Sequence, residues 1–382
     1  MISRQISSMI RSNPTGSNIS PTGAGRGDYR ADHRLLICIA LSFICLLVTG
    51  CLCKPLLPYT LETPPLTLVP ASMTDIEDGR GRFREIYCAV QKDRGDELPY
   101  NRPCEEVVLR LAGEPNPTSK PVSLGQAKLK LRFFFVPGLY NDCIDVSKAF
   151  SFARVHVERY GYRTRDLPVS GWSSSSHNAG LIRNALMAVE LSQDEQVVLV
   201  GYSKGAPDIL QALVEYPEIV RRVKAVVSIA GVVGGSPLTD AIDEPYREML
   251  GKNPLVDCPG GVGDPIASIQ RSVRQKWLSQ YRLPASVKYF SLAAFAEREN
   301  ISTVLRVSYD RLALIDPRND SQLIFYDQLI PGSTLLGYVR ADHWAVAMPF
   351  SQDRFMPALI DRNGFPREVL LEAVFRFVEE SL

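Results

Sequence analysis

Residues 196–214 read QVVLVGYSKGAPDILQALV, and this stretch decides the fold. The apolar run over 196–201 predicts a buried strand. The Gly-x-Ser-x-Gly string at 201–205 follows directly and predicts a tight turn with Ser203 at its apex. The apolar periodicity of residues 204–215 then predicts a helix. The stretch therefore indicates a strand, a sharp turn and a helix in immediate succession.

The same alternation extends on both sides of this stretch. Short apolar runs predict strands, and longer amphipathic segments between them predict helices, which is typical of βαβ units. The predicted strands lie at 129–136, 162–169, 196–201, 223–230, 287–295 and 334–340, and the predicted helices at about 144–159, 179–191, 204–215 and 300–314 and after Pro366. The sequence thus predicts an α/β fold with a mostly parallel sheet covered by helices on both faces.

Two regions depart from this pattern. Residues 231–286 are too long for a simple crossover, so we expect an insertion that forms a cap over the carboxyl edge of the sheet. We expect Ile266, Ile269 and Trp277 to line a site beneath it. Residues 82–127 precede the alternation, and they predict a strand over 83–90, a loop, and a short helix after Pro103.

The strand, turn and helix around Ser203 resemble the nucleophile elbow of the α/β-hydrolase superfamily, and within it secreted bacterial serine lipases and esterases. A Gly-x-Ser-x-Gly string alone is a weak signal in a chain with 26 glycines, and its position between strand and helix carries the resemblance. The resemblance covers roughly residues 129–382. It implies an α/β-hydrolase fold with a cap, Ser203 as nucleophile, and a later acid and histidine in that order.

The candidate for the catalytic histidine is identified by its position in the sequence. The chain has four histidines, and only His343 follows Ser203, just beyond the predicted strand 334–340. The resemblance places the catalytic histidine in this loop, so we assign that role to His343. We expect His156 and His177 to be solvated.

Several carboxylates precede His343, and the acid stays open among three of them. Asn319-Asp320-Ser321-Gln322-Leu323 is similar to the Asn-Asp-Gly string that carries the catalytic acid of bacterial lipases, with Ser replacing Gly. We favour Asp320 for this reason, with Asp316 and Asp310 as alternatives. Asp342 adjoins the histidine and is interpreted as a loop or capping group.

Two backbone amides are expected to hold the oxyanion, those of Leu139 and Lys204. Pro137-Gly138-Leu139 follows the strand 129–136, where the lipases usually have His-Gly. Because the donor is a backbone N–H, we expect the change to leave it intact, with Gly138 giving room. We interpret the Lys204 side chain as solvated.

The N-terminal part predicts export and membrane attachment. Residues 1–34 carry five arginines against two aspartates and predict a disordered basic arm, and residues 35–53 contain no charge over 19 positions. Val48-Thr49-Gly50-Cys51 resembles the lipobox of bacterial lipoproteins, in which the Cys becomes the lipidated N-terminus. We favour this reading, with an uncleaved single-pass anchor, its N-terminus in the cytoplasm, as the alternative. Residues 54–73 carry five prolines and predict a tether to a domain at 74–382.

Four cysteines fall in the predicted exported part. An oxidising compartment such as the periplasmic face or cell envelope favours disulfide bonds. We expect Cys88 to pair with Cys104 and Cys143 with Cys258, with buried free thiols as the alternative.

Composition narrows the function further. The chain has 382 residues and a net charge of +1, which argues against a nucleic-acid partner. It lacks the Cys/His spacing of zinc sites and the glycine loops of nucleotide sites, so we expect no metal or cofactor.

The favoured function is a membrane-tethered serine hydrolase for small-molecule or lipid esters. An acyltransferase, a thioesterase, an amidase or a non-catalytic binding protein remain alternatives, and the oligomeric state is open.

Overall fold

A mostly parallel sheet of eight strands forms the centre of the computed structural model, which describes residues 75–142, 148–240, 242, 261–350 and 360–382. The spatial order of the strands is β1-β8-β7-β6-β5-β3-β4, and β2 pairs antiparallel with β8. The strands are β1 (Glu77–Asp78), β2 (Val108–Leu109), β3 (Leu131–Val136), β4 (Arg163–Asp166), β5 (Gln196–Tyr202), β6 (Val223–Ile229), β7 (Lys288–Phe295) and β8 (Thr334–Arg340). The predicted α/β-hydrolase fold is confirmed, since β3 to β8 lie at the predicted runs and pair in parallel.

Helices cover both faces of this sheet. In chain order they are α1 (Arg80–Arg94), α2 (Cys104–Val107), α3 (Ser151–Glu158), α4 (Ser175–Ala188), α5 (Gly205–Glu215), α6 (Pro217–Val220), α7 (Pro237–Asp240), α8 (Arg271–Gln280), α9 (Arg306–Ala313) and α10 (Arg367–Ser381). The apolar side chains of α1, α3 and α10 share one core with Phe133 and Phe135 of β3. Those of α4 and α5 share a second core with Phe134 and Val136. Successive residues of β3 thus face opposite helical layers, because side chains alternate along a strand.

The strand predicted over 83–90 is wrong, because this segment belongs to helix α1. Phe83, Ile86, Tyr87 and Val90 are all fully buried, and their spacing of three, four and seven residues is that of one helical face. The packing of α1 against α10 therefore decides its structure. The short helix predicted after Pro103 is present as α2.

A disulfide bond joins Cys88 in α1 to Cys104 in α2, as predicted. The two Cα atoms lie 5.2 Å apart, within the usual range for a disulfide. The other predicted pair, Cys143 with Cys258, lies outside the described residues, as does the whole of 1–74. Within the described ranges, no helix has the length and apolar content that a membrane crossing requires.

His156 is buried in α3, so the prediction of a solvated side chain is wrong. Its Nε2 lies 2.7 Å from Oε2 of Glu372 in α10, and the same carboxylate also contacts Arg94 and Arg376. Burial alone would raise the pKa of Glu372, but the hydrogen bonds from His156 and Arg376 and the arginine charges lower it. This cluster holds α1, α3 and α10 together. His177 is half-buried in the first turn of α4.

Candidate active site

Ser203 lies at the turn where β5 passes into α5, with a backbone φ of +53°. A non-glycine residue rarely adopts this conformation, and such strain is typical of functional turns. The two flanking glycines permit the turn. A Cβ on Gly201 would lie 2.7 Å from Cα of Ala206, and one on Gly205 would overlap the carbonyl oxygen of Val136. Side chains at either position would therefore separate strand from helix.

A hydrogen-bond chain connects Ser203 to a histidine and a carboxylate. Nε2 of His343 lies 3.0 Å from Oγ of Ser203, and Nδ1 lies 2.7 Å from Oδ2 of Asp320. The His343 backbone N–H also donates to the Asp320 carbonyl at 2.8 Å. The structure thus brings together the three residues that the sequence singled out.

The second carboxylate oxygen of Asp320 is fully occupied by the backbone. Oδ1 accepts hydrogen bonds from the amides of Gln322 at 2.9 Å and Leu323 at 2.7 Å. Asp320 is completely buried, and Nε2 of Gln328 lies 3.4 Å from its Oδ2. These contacts fix the carboxylate with one oxygen toward the imidazole, which selects the tautomer with a proton on Nδ1.

The alternative acids have other partners. Asp316 forms an ion pair with Arg318 at 2.7 Å, and Asp310 forms an exposed one with Arg298 at 2.6 Å. Asp342 caps a turn, as expected, because its carboxylate accepts hydrogen bonds from the Ser302 hydroxyl at 2.6 Å and the Ala345 amide at 2.7 Å. Within the described residues, Asp320 is the carboxylate that bonds to the His343 ring.

Tyr202 supports the imidazole, and sequence reasoning missed it. Its ring stacks on that of His343 with the centroids 5.3 Å apart, and its hydroxyl donates to the His343 carbonyl at 2.7 Å. Burial raises the pKa of Tyr202 well above its usual range, so the phenol stays protonated and remains a donor. The middle position between Gly201 and Ser203 carries no sequence signal for this role.

The loop after β3 lies against Ser203. A Cβ on Gly138 would be 2.8 Å from Cβ and 3.1 Å from Oγ of Ser203, so glycine allows the loop to approach this closely. Across the described ranges, neither the Leu139 amide nor the Lys204 amide donates a hydrogen bond to another group. Lys204 is the N-cap of α5, where backbone N–H groups are unpaired by geometry.

The Lys204 side chain is buried, so the prediction that it is solvated is wrong. Only 1% of the residue is exposed, and its Nζ lies 2.7 and 2.8 Å from the two carboxylate oxygens of Asp208. Asp208 is four residues further along, on the same face of α5, so the lysine follows the helix surface instead of extending into solvent.

A cavity of about 320 Å³ opens in front of Ser203 and His343. Its walls come from the loop after β3, the described parts of 231–286 and the loop after β8. Most of the lining is apolar, and it includes Leu139, Val232, Leu238, Ile242, Ile266, Ile269, Leu323, Trp344, Met348 and Phe350. Ile266 and Ile269 line the cavity as predicted. Trp277 does not, because it packs against the core shared by α4 and α5, with Arg274 over its ring.

No cluster of His, Cys, Asp or Glu suited to a metal ion occurs among the residues that the structure describes. The polar groups at Ser203 are a hydroxyl, an imidazole and a buried carboxylate joined by hydrogen bonds. This arrangement on this fold is typical of serine hydrolases.

Comparison with solved structures gives the family. The crystal structure of the metagenomic carboxyl esterase MGS0156 is 45% identical over 84% of this chain and 97% of its own, with a TM-score of 0.80. Bacillus licheniformis lipase BlEst2 is 22% identical over 63% of this chain and 96% of its own, with a TM-score of 0.48. Staphylococcus hyicus lipase is 12% identical over 69% and 98%, with a TM-score of 0.49.

The family assignment rests on the first of these three. The chain belongs to the carboxyl esterases of the α/β-hydrolase fold, and it is an ester-hydrolysing enzyme. No family model matches the chain, and no curated protein does.

Ser321 occupies the position where the similar lipase string has glycine. The backbone conformation at this position is one that favours glycine. Its φ is +80°, in the left-handed region that glycine adopts without steric cost. The residue is completely buried, and its hydroxyl makes no hydrogen bond within the described part of the chain. Ser321 therefore adds backbone strain next to Asp320.

We predict that Ser321→Gly is more stable than Ser321→Ala by about 1 kcal/mol in the free energy of unfolding. Both variants remove the buried hydroxyl, but only glycine relieves the steric conflict of a Cβ at positive φ. Urea denaturation of both proteins measures the difference. An alanine variant as stable as the glycine variant would show that the turn carries no such strain.

Proposed function

We propose that this enzyme cleaves carboxylic esters through a covalent acyl-enzyme formed on Ser203. The hydrogen-bond chain from Asp320 through His343 to the Ser203 oxygen carries the proposal. The strained turn supports it, because it presents the serine oxygen at the start of a helix, in front of an apolar cavity.

In the proposed mechanism, Ser203 Oγ attacks the ester carbonyl while His343 Nε2 accepts the serine proton. Asp320 orients the imidazole and stabilises its cation. The backbone amides of Leu139 and Lys204 donate to the oxyanion of the tetrahedral intermediate. Collapse of the intermediate expels the alcohol, which takes the proton from His343. A water molecule, deprotonated by the same imidazole, then releases the acid and restores Ser203.

The cavity favours esters with an uncharged, apolar acyl group. Aliphatic and aromatic side chains form most of its lining, and burial of an acyl chain there would be driven by the hydrophobic effect. The described residues of 231–286 contribute Val232, Ile266 and Ile269 to this lining. We assign this segment as a cap that selects the acyl group.

We further propose that the enzyme is exported and held at a membrane by its N-terminal segment. The support is the uncharged run over 35–53, the arginines before it and the lipobox-like string ending at Cys51. The disulfide between Cys88 and Cys104 supports the same location, since such bonds persist in oxidising compartments.

Ser203→Ala tests the nucleophile. We expect it to lower the esterase activity on p-nitrophenyl esters by roughly 10⁴-fold or more and to abolish covalent labelling by a fluorophosphonate. The circular dichroism spectrum and the thermal midpoint serve as the folding control. Labelling of the alanine variant at the level of the unaltered enzyme would remove Ser203 from the mechanism.

A matched pair of variants tests the acid. Asp320→Asn should lower kcat by about 10⁴-fold, because an amide at this position favours the wrong imidazole tautomer. Asp316→Asn removes a carboxylate of the same loop that pairs with Arg318, and we expect kcat within about threefold of the unaltered enzyme. A large loss with Asp316→Asn alone would contradict the assignment.

Cys51→Ser tests the membrane attachment in bacterial cells that process lipoproteins. If Cys51 is lipidated, the variant should accumulate as a precursor about 50 residues longer than the mature protein. Mass spectrometry of the mature N-terminus measures the lipid directly. Equal size of both proteins, with the full N-terminus retained, would favour the uncleaved anchor.

A further inference from the structure

A second set of buried polar contacts lies directly behind Ser203. Lys204 and Asp208 are each 1% exposed, and the ammonium contacts both carboxylate oxygens. Asp208 also accepts hydrogen bonds from Nδ2 of Asn178 at 2.7 Å and from the hydroxyl of Ser175 at 2.5 Å. One carboxylate thus receives four hydrogen bonds in the interior, and none of its partners is in the Ser203–His343–Asp320 chain.

A contribution to the free energy of folding does not by itself explain the buried ion pair between Lys204 and Asp208. Removal of two charges from water costs as much as their attraction returns in many proteins, and apolar side chains of similar size often replace such pairs without loss. A fully bonded buried pair does fix the direction of the groups attached to it. The backbone amide of Lys204 itself is one of the two that we assign as hydrogen-bond donors to the oxyanion.

The contacts continue from Asp208 toward the other assigned amide. Asn178 bonds twice to the backbone of Ser170, since its Oδ1 accepts from the Ser170 amide and its Nδ2 donates to the Ser170 carbonyl, both at 3.0 Å. The next residue, Gly171, accepts a hydrogen bond from the Tyr140 amide at 3.0 Å. Tyr140 directly follows Leu139 in the chain. A continuous set of contacts therefore joins the two oxyanion amides.

The Tyr140 end of this path is under strain. Its φ is +61°, a conformation that persists in a non-glycine residue only where the surroundings hold it. Two contacts hold it from the same segment, namely the bond to the Gly171 carbonyl and the stacking of its ring on Trp172 with the centroids 4.8 Å apart. The segment 170–172 therefore supports the turn that carries Leu139.

We propose that Lys204, Asp208, Asn178, Ser170 and Gly171 form a positioning bridge that holds the two oxyanion amides at a fixed separation. The proposal rests on the proposed function. The bridge residues act through the amides and not through contact between their side chains and substrate. Amides aligned before the reaction stabilise the developing charge without reorganisation, so a loosened bridge should slow the chemical step and leave ground-state binding unchanged.

Asn178→Ala and Ser175→Ala form a matched test. Each removes one hydrogen bond to Asp208 from a buried residue of α4, but only Asn178 continues to Ser170. With p-nitrophenyl butyrate, we expect Asn178→Ala to lower kcat by about 10- to 100-fold with KM within about twofold. We expect Ser175→Ala to stay within about threefold of the unaltered enzyme in both constants.

Inhibition by an alkyl trifluoromethyl ketone separates positioning from a general loss of structure. The ketone forms a tetrahedral adduct with Ser203 whose oxyanion needs both amides, so its affinity should fall by the same factor as kcat/KM in Asn178→Ala. A fall in kcat with unchanged ketone affinity would overturn the bridge, as would equal effects of Asn178→Ala and Ser175→Ala.

If Asn178→Ala does not fold, the double variant K204M/D208N replaces the ion pair by uncharged side chains of similar size. We expect it to fold and to show the same parallel loss of kcat and ketone affinity, and unchanged values would overturn the proposal. If the unaltered enzyme itself shows no activity or labelling that depends on Ser203, the proposed function fails. Failure of the bridge alone would leave that activity and labelling intact.

Discussion

The positive φ of Ser203, at the point where β5 passes directly into α5, is the constraint on which the site depends. A Cβ on Gly201 would collide with Ala206 of α5, and one on Gly205 would collide with the Val136 carbonyl of β3. The turn lifts the serine oxygen out of the sheet and exposes the first amides of the helix beside it. Every other group of the site is arranged around that oxygen.

The parallel sheet explains why the other groups can converge there. The carboxyl ends of parallel strands meet at one edge, so the loops after β3, β7 and β8 gather at the edge where Ser203 lies. The loop after β8 brings His343, the segment between β7 and β8 brings Asp320, and the loop after β3 brings Gly138. The apolar cavity forms where these loops meet the described residues of 231–286.

Local sequence patterns were enough for the frame of the structure. The alternation of apolar runs and helical segments predicted β3 to β8. The resemblance to the α/β-hydrolases, together with the order of residues along the chain, singled out the serine, histidine and acid that the structure joins. Each failure concerns a tertiary contact or the burial of a side chain. Helix α1 is decided by packing against α10, the buried state of His156 by Glu372, and the course of the Lys204 side chain by Asp208. A sequence pattern does not reveal partners that lie hundreds of residues away, and it does not distinguish a lysine in water from one paired inside.

The Tyr202 contacts have a consequence for the resting enzyme. The phenol ring covers one side of the His343 imidazole, and its hydroxyl anchors the carbonyl of the same histidine. Tyr202 therefore contacts His343 at its backbone carbonyl and at one face of its imidazole ring before any substrate arrives. In the proposed mechanism, these contacts and the bond to Asp320 favour an imidazole that stays beside Ser203 Oγ while it accepts the serine proton and passes it to the alcohol. Under that mechanism, acylation and deacylation use the same imidazole in the orientation that the folded chain already gives it.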